Sequence, residues 1–269
     1  MIKILLVLLV AITGVLWMEG SSSSAPKVVG QTVTYTVDGV KMKSYFVYDE
    51  GVQGKRPGVL VVPEWWGLND YARKRAQMIA GLGYAALAVD MYGEGKVADT
   101  PAEATQASSA VMKNFDIGRD RFLGAMKFLQ EKTIVDPKKI AAIGYCFGGG
   151  VVLNMARQGI DLQGVVSFHG DLTPVKPAQP GSIKAKILAL TGGDDQIVPP
   201  EAVKAFQKEM KAAGADFRIV SYPGAKHSFT NPKATALGKK FNLPIGYNAQ
   251  ADQKSWEEMK AFLKSLFKP

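Results

Sequence analysis

Short apolar runs recur along the chain at Val59–Val62, Ala85–Val89, Ile140–Tyr145, Val165–Phe168, Ile187–Thr191 and Phe217–Tyr222. They do not alternate apolar with polar residues. Runs of this kind belong to parallel strands covered by helices on both faces. Between them lie helix-like segments: Tyr71–Leu82, Pro101–Asn114, Arg119–Lys132, Phe147–Gln158 and Glu201–Ala213. Thr100-Pro101-Ala102-Glu103 has the form of a capping box with proline at the first helical position. A final amphipathic helix is predicted over Gln253–Phe267, with Trp256, Met259, Phe262, Leu263 and Leu266 near one face. Ahead of this alternation, Gln31–Val37 and Lys41–Tyr48 are β-rich and flank Asp38-Gly39, which predicts an antiparallel hairpin. Strands alternating with helices predict one α/β domain, a mostly parallel doubly wound sheet with helices on both faces.

The first stretch has a different character. Lys3 is followed by an almost wholly apolar run, Ile4–Trp17, and then by Glu19 and Ser21–Ser24. A basic start, a short apolar run and small residues read as a secretory signal peptide over residues 1–25, which leaves 26–269 as a single domain. The run is short for a membrane span. The expectation is export, to the periplasm of a Gram-negative source, without stable membrane insertion once the leader is removed. The alternative is an uncleaved N-terminal tether.

Composition changes this picture little. The 269 residues are 47% hydrophobic and 21% charged, an ordinary globular balance. The net charge of +9 is spread without a long basic cluster, so a solvated basic surface is expected and a nucleic-acid partner is not. No metal-ligand cluster, P-loop or dinucleotide fingerprint stands in the chain, and neither a cofactor nor a metal is expected. Only one cysteine is present, Cys146, so an internal disulfide is excluded.

That cysteine carries the chemistry. Gly144-Tyr145-Cys146-Phe147-Gly148 joins a buried strand to the start of a buried helix. It is the nucleophile-elbow pattern of the α/β-hydrolase fold with Cys in place of Ser. A sharp turn needs glycines on either side, and the positive end of the following helix favours a thiolate. The bland alternative is a small buried Cys in a glycine-rich turn. A thiol needs a base, and the chain has two histidines, His169 and His227. The fold's order is nucleophile, acid, histidine, which points to His227 as base and leaves His169 as a pocket-lining candidate. The acid should follow Ile187–Thr191, where Asp194 and Asp195 compete. After Val59–Pro63 comes Glu64-Trp65-Trp66-Gly67. Backbone amides of Phe147 and of this loop, at Trp65, are expected to form the oxyanion hole, with Trp65 and Trp66 as candidate walls of an apolar pocket.

On these residues the sequence resembles the dienelactone hydrolase family, over about residues 30–268. The marks are Glu64 after a strand, Gly-Tyr-Cys-Phe-Gly-Gly at 144–149, Gly-Gly-x-Asp-x-x-Val-Pro at 192–199, His227-Ser228-Phe229, and Asp90-Met91-Tyr92. The resemblance selects Asp195 over Asp194 and implies a Cys146-Asp195-His227 triad acting on a lactone. It also implies that Glu64 hydrogen-bonds the resting thiol and helps to ionise it. Trp66, Tyr92 and Ser228 are expected to line the substrate pocket. Two departures bear on substrate. The family's dienelactone-cleaving members hold the substrate carboxylate with two arginines. The corresponding stretches here read Gly93-Glu94-Gly95 and Thr230-Asn231. A buried anion without such partners is costly to bind, so a neutral small-molecule ester or lactone is expected. Lys96 or Lys226 is a candidate to compensate. The competing readings are a broad carboxylesterase or thioesterase with the same machinery, and a binding protein on the hydrolase fold without turnover.

Overall fold

The computed structural model describes residues 25–268, so the expected leader falls almost wholly outside the described residues. The chain begins with a hairpin, β1 (Val28–Val37) and β2 (Val40–Asp49), paired antiparallel with Val37 opposite Val40. Asp38 and Gly39 both have positive φ, at 48° and 78°, as the tight two-residue turn requires. Then follow β3 (Arg56–Val62), α1 (Asp70–Ala80), β4 (Ala85–Ala88), α2 (Pro101–Lys113), α3 (Phe115–Gln130) and β5 (Val135–Tyr145). The second half runs α4 (Phe147–Arg157), β6 (Gly164–Phe168), β7 (Lys186–Gly192), α5 (Pro200–Ala213), β8 (Phe217–Tyr222), α6 (Ala234–Phe241) and α7 (Ala249–Leu266).

The eight strands form one sheet in the order β1-β2-β4-β3-β5-β6-β7-β8. Pairing is antiparallel from β1 to β4 and parallel from β4 to β8. The apolar runs are thus the parallel strands, and their absence of alternation has the expected cause. One face of the sheet is covered by Phe122 and Leu129 of α3, Val151 and Leu153 of α4, and Phe206 and Met210 of α5. The other is covered by Ala76 and Ile79 of α1 and by Met259 and Leu263 of α7. The helix starts follow local chemistry. Thr100 caps α2 by accepting from the Glu103 amide, while the Glu103 carboxylate accepts from Asp99 N–H at 2.9 Å.

Two elements differ from the expectation. α3 begins at Phe115, four residues before Arg119, because Phe115, Gly118 and Phe122 face the core. α6 was not expected at all. Its apolar positions Ala234, Leu237, Gly238 and Phe241 nevertheless stand at helical spacing, and a third small cluster joins Leu237 and Phe241 to Trp66. Among the described residues, no helix is long and apolar enough to cross a membrane.

Candidate active site

The C-terminal ends of the parallel strands gather the chemistry, as this kind of sheet predicts. Cys146 stands between β5 and α4 with φ 52° and ψ −116°. A non-glycine residue holds such angles only where its surroundings over-determine them. The backbone on either side of it closes to distances that only glycine permits. A Cβ on Gly144 would lie 2.0 Å from the Gly148 carbonyl oxygen, and one on Gly148 would lie 2.3 Å from that of Val62. With hydrogen in place of Cβ, α4 closes directly over β3 and β5, and Gly148 N–H donates to Pro63 O at 3.1 Å. The turn leaves Cys146 half-buried and facing a cleft of about 440 Å³.

His227 follows β8 and lines the same cleft. Its Nδ1 is 2.8 Å from Asp195 Oδ2, and both residues are buried. The other Asp195 oxygen accepts from the amides of Ile197 and Val198, at 2.8 and 2.9 Å, which fixes the carboxylate. Asp194, by contrast, is exposed. His227 Nε2 is buried without a partner at bonding distance, and besides Asp195 it is the Cys146 thiol that acts on this ring. Burial by itself lowers the His227 pKa. The charge of the Cys146 sulfur, then the Asp195 bond, more than offset it and push the imidazole up to about 10.

The loop after β3 faces the elbow. Among the hydrogen bonds of the described residues, the amides of Trp65 and Phe147 donate to no other group. Trp65 lines the cleft together with Met112, Phe147, Ile197, Leu243 and Ile245. Ser228 lines it too, at a positive φ of 56°. Among the described residues, no lysine or arginine lines this cleft, and Asp171 is its one carboxylate besides the groups above. The residues from Leu243 to Ile245 were missed by sequence reasoning. They reach the site because Ile245 bridges His227 and the Gly246 amide donates to the His227 carbonyl.

Several expected placements are corrected. Trp66 does not line the cleft. Successive side chains in this turn diverge, so Trp66 packs beneath Ala98 and Ala104 and against Phe241, 6.1 Å between ring centroids. Tyr92 lies behind the loop and lines a neighbouring cavity of about 470 Å³, which also takes Lys96. Its hydroxyl donates to the Trp65 carbonyl at 2.8 Å, so it holds the loop rather than the cleft. Asp90 organises the turn before it by accepting from the amides of Lys43, Tyr92, Gly93 and Gly95. Glu64 does not bond Cys146. It is buried, its Oε2 accepts from Asn231 Nδ2 at 2.6 Å, and its Oε1 has no partner. Burial pushes the Glu64 carboxyl up, against the pull of Asn231, Ser228 and the charges of His227 and Arg75. His169 is wholly buried behind the elbow and lines no part of the cleft. Glu94 points away and pairs with Lys43 at 3.3 Å. Among the described residues, no group of acidic, His and Cys side chains could hold a metal ion.

Comparison with known proteins supports the fold and assigns a family. The family model for the dienelactone hydrolase family matches residues 42–267. The crystal structure of a dienelactone hydrolase-like promiscuous phosphotriesterase from metagenomic libraries is 36% identical, with a TM-score of 0.85. The match covers 90% of this chain and 100% of that one. A protein of Escherichia coli provisionally named carboxymethylenebutenolidase is 28% identical over 84% of this chain and 83% of its own length. One from Aquifex pyrophilus, named protein usf, is 29% identical over 88% of this chain and 98% of its own. The sheet order, the elbow and the matched span together make the chain a member of the dienelactone hydrolase family, an α/β-hydrolase of the carboxylic ester hydrolase class.

Proposed function

We propose that this enzyme hydrolyses neutral small-molecule esters and lactones, with Cys146 as nucleophile, His227 as base and acid, and Asp195 as the group that orients His227. The observation that carries the reading is the pairing of His227 Nδ1 with Asp195 while Nε2 stands unpartnered in the cleft that Cys146 faces. Cys146 gives its thiol proton to His227 Nε2, the thiolate attacks the carbonyl carbon, and the C=O electrons move to oxygen, where the amides of Phe147 and Trp65 donate hydrogen bonds to the oxyanion. Collapse breaks the ester C–O bond, and the leaving alkoxide takes the proton from His227 Nε2. Water then attacks the thioester, giving its proton to Nε2, and collapse expels the thiolate and releases the acid. Asp195 holds the imidazole with Nε2 toward the cleft and stabilises its charged form. Glu64, bonded to Asn231, takes no proton from Cys146 in this scheme.

Substrate preference follows from the lining. Apolar side chains, the hydroxyls of Ser108, Ser109, Thr173 and Ser228 and the carboxylate of Asp171 suit a neutral ester, and without lysine or arginine they disfavour a bound carboxylate. The test is hydrolysis of neutral esters, neutral lactones and a carboxylate-bearing dienelactone by the enzyme and by Cys146→Ala. Cys146-dependent turnover of the neutral compounds supports the reading. Turnover confined to the dienelactone refutes the substrate class, and equal rates for both proteins refute the nucleophile. A phosphotriester belongs on the same panel, because the 36% identical structure is described as a promiscuous phosphotriesterase. The apolar run Ile4–Trp17 supports export. N-terminal sequencing of the enzyme from fractionated cells tests it, and an intact Met1 in the cytosolic fraction refutes it.

A further inference from the structure

The second histidine lies outside the cleft yet touches the nucleophile from behind. His169 follows β6, is wholly buried and has a φ of 41°. Its Nδ1 accepts from the Cys146 backbone N–H at 3.2 Å, an amide shared with the Phe168 carbonyl at 3.0 Å. Its Nε2 is 2.7 Å from Thr230 Oγ1. An Nδ1 that accepts leaves the ring proton on Nε2, which donates to Thr230, so these two partners select one neutral tautomer. The network continues inward. Thr230 Oγ1 is 2.6 Å from the Tyr71 hydroxyl, Arg75 Nε donates to that hydroxyl, and Arg75 is paired with Asp252 at 2.6 Å. Edge-on, the His169 ring meets His227 at 5.2 Å and Phe229 at 5.1 Å, with Tyr145 at 6.2 Å. Burial, then the charges of His227 and Arg75, hold His169 well below the usual imidazole range, so it stays an acceptor.

We propose that His169 is a positioning residue for the nucleophile: locked as an acceptor by Thr230, its Nδ1 anchors the Cys146 amide and so keeps the sulfur aimed at His227. The proposal rests on the roles proposed above for Cys146 as nucleophile and His227 as base. Cys146 sits at backbone angles that few side chains adopt, and its side-chain direction depends on how the peptide before it is held. Displacement of a reacting group by about 1 Å can cost on the order of a hundredfold in rate. A histidine that merely fills space between His227 and Phe229 would need no particular tautomer and no bond to Thr230.

Two substitutions separate anchoring from packing. His169→Asn places an amide oxygen where Nδ1 stands, whereas His169→Gln puts its polar end where Nε2 stands and leaves the Cys146 amide without the side-chain acceptor. The measurements are the kcat and KM for a neutral ester and the rate of Cys146 alkylation by iodoacetamide at one fixed pH, with circular dichroism as the check on folding. His169→Asn should stay within a few-fold of the wild type in each. For His169→Gln kcat should fall about tenfold or more, with KM little changed. An unchanged kcat in folded His169→Gln, or equal losses in both variants, overturns the anchoring role. If His169→Gln does not fold, Thr230→Val carries the test, because it keeps the ring and removes the acceptor that selects its tautomer. The same fall in kcat with KM little changed supports the proposal and an unchanged kcat overturns it. Turnover that survives Cys146→Ala would overturn the role of Cys146 itself, and the positioning role with it. Cys146-dependent turnover beside an unchanged variant overturns the positioning role alone.

Discussion

Asn231 donates from Nδ2 to Glu64 Oε2 at 2.6 Å, across 167 positions of sequence, inside a region that excludes solvent from both. A neutral amide is therefore the hydrogen-bond partner of this carboxyl, in the stretch Thr230-Asn231 where the family resemblance implied an arginine. Burial raises the Glu64 pKa, and the amide offsets this less than a cation would. The sign of the linkage follows. A carboxyl whose folded pKa is raised contributes most to stability below its unfolded value, and opposes folding increasingly as pH climbs from there through the folded value. Glu64→Gln should therefore raise the melting temperature by a few degrees at neutral pH, and the gain should vanish in acid. Thermal denaturation of both proteins across that range checks it, and a gain that grows toward acid contradicts it.

Asp195 and Asp194 are neighbours in sequence with unlike surroundings. Only Asp195 is buried against His227 and fixed by the amides of Ile197 and Val198. Asp195→Asn should lower kcat by about a hundredfold to ten-thousandfold, because the imidazole loses the partner that sets its tautomer and stabilises its charge. Asp194→Asn should stay within a few-fold. Steady-state kinetics on one neutral ester decides it, and equal losses would remove Asp195 from its role.

With two histidines in the chain, imidazole NMR can follow each one. His227 should titrate near 10, while His169 should remain neutral throughout the neutral range. In Cys146→Ala the His227 value should fall, because the sulfur charge is the largest influence raising it. The stability gained from charged His227 is full below its ordinary value of 6.5 and is lost as pH rises through about 10. A His227 resonance titrating near 6.5 in both proteins would show that no ion pair forms.

The elbow's close approach sets a steric limit. An alanine Cβ at Gly148 would stand 2.3 Å from the Val62 carbonyl oxygen and 2.6 Å from that of Pro63, and neither is a flexible side chain. Gly148→Ala should push α4 off β3, destabilise the protein by about 2–4 kcal/mol and abolish turnover. Gly181→Ala is the control on space alone, since nothing lies within 4 Å of its Cβ position, although its φ of 73° carries a backbone strain of its own. Denaturant unfolding of both variants makes the comparison.

Much of this protein was legible in the chain itself. Short apolar runs without alternation, spaced by helical segments, read as parallel strands buried on both faces, so the sheet and most covering helices followed from pattern. Gly144, Gly148 and the order Cys146, Asp195, His227 pointed to one end of that sheet, because a sharp strand-to-helix turn and a fixed chain order are local or sequential properties. Side-chain direction in the loops is neither. Trp65 and Trp66 are alike in sequence, yet one meets the cleft and the other meets Phe241, since the turn and the unforeseen α6 decide which way each faces. Tyr92, expected in the pocket, holds the Trp65 carbonyl from behind. Glu64 found Asn231, and His169 found the Cys146 amide and Thr230, through contacts that join distant segments. A hydrogen bond between two buried groups depends on where the packed core leaves an unsatisfied donor beside an acceptor, and only the tertiary structure decides that.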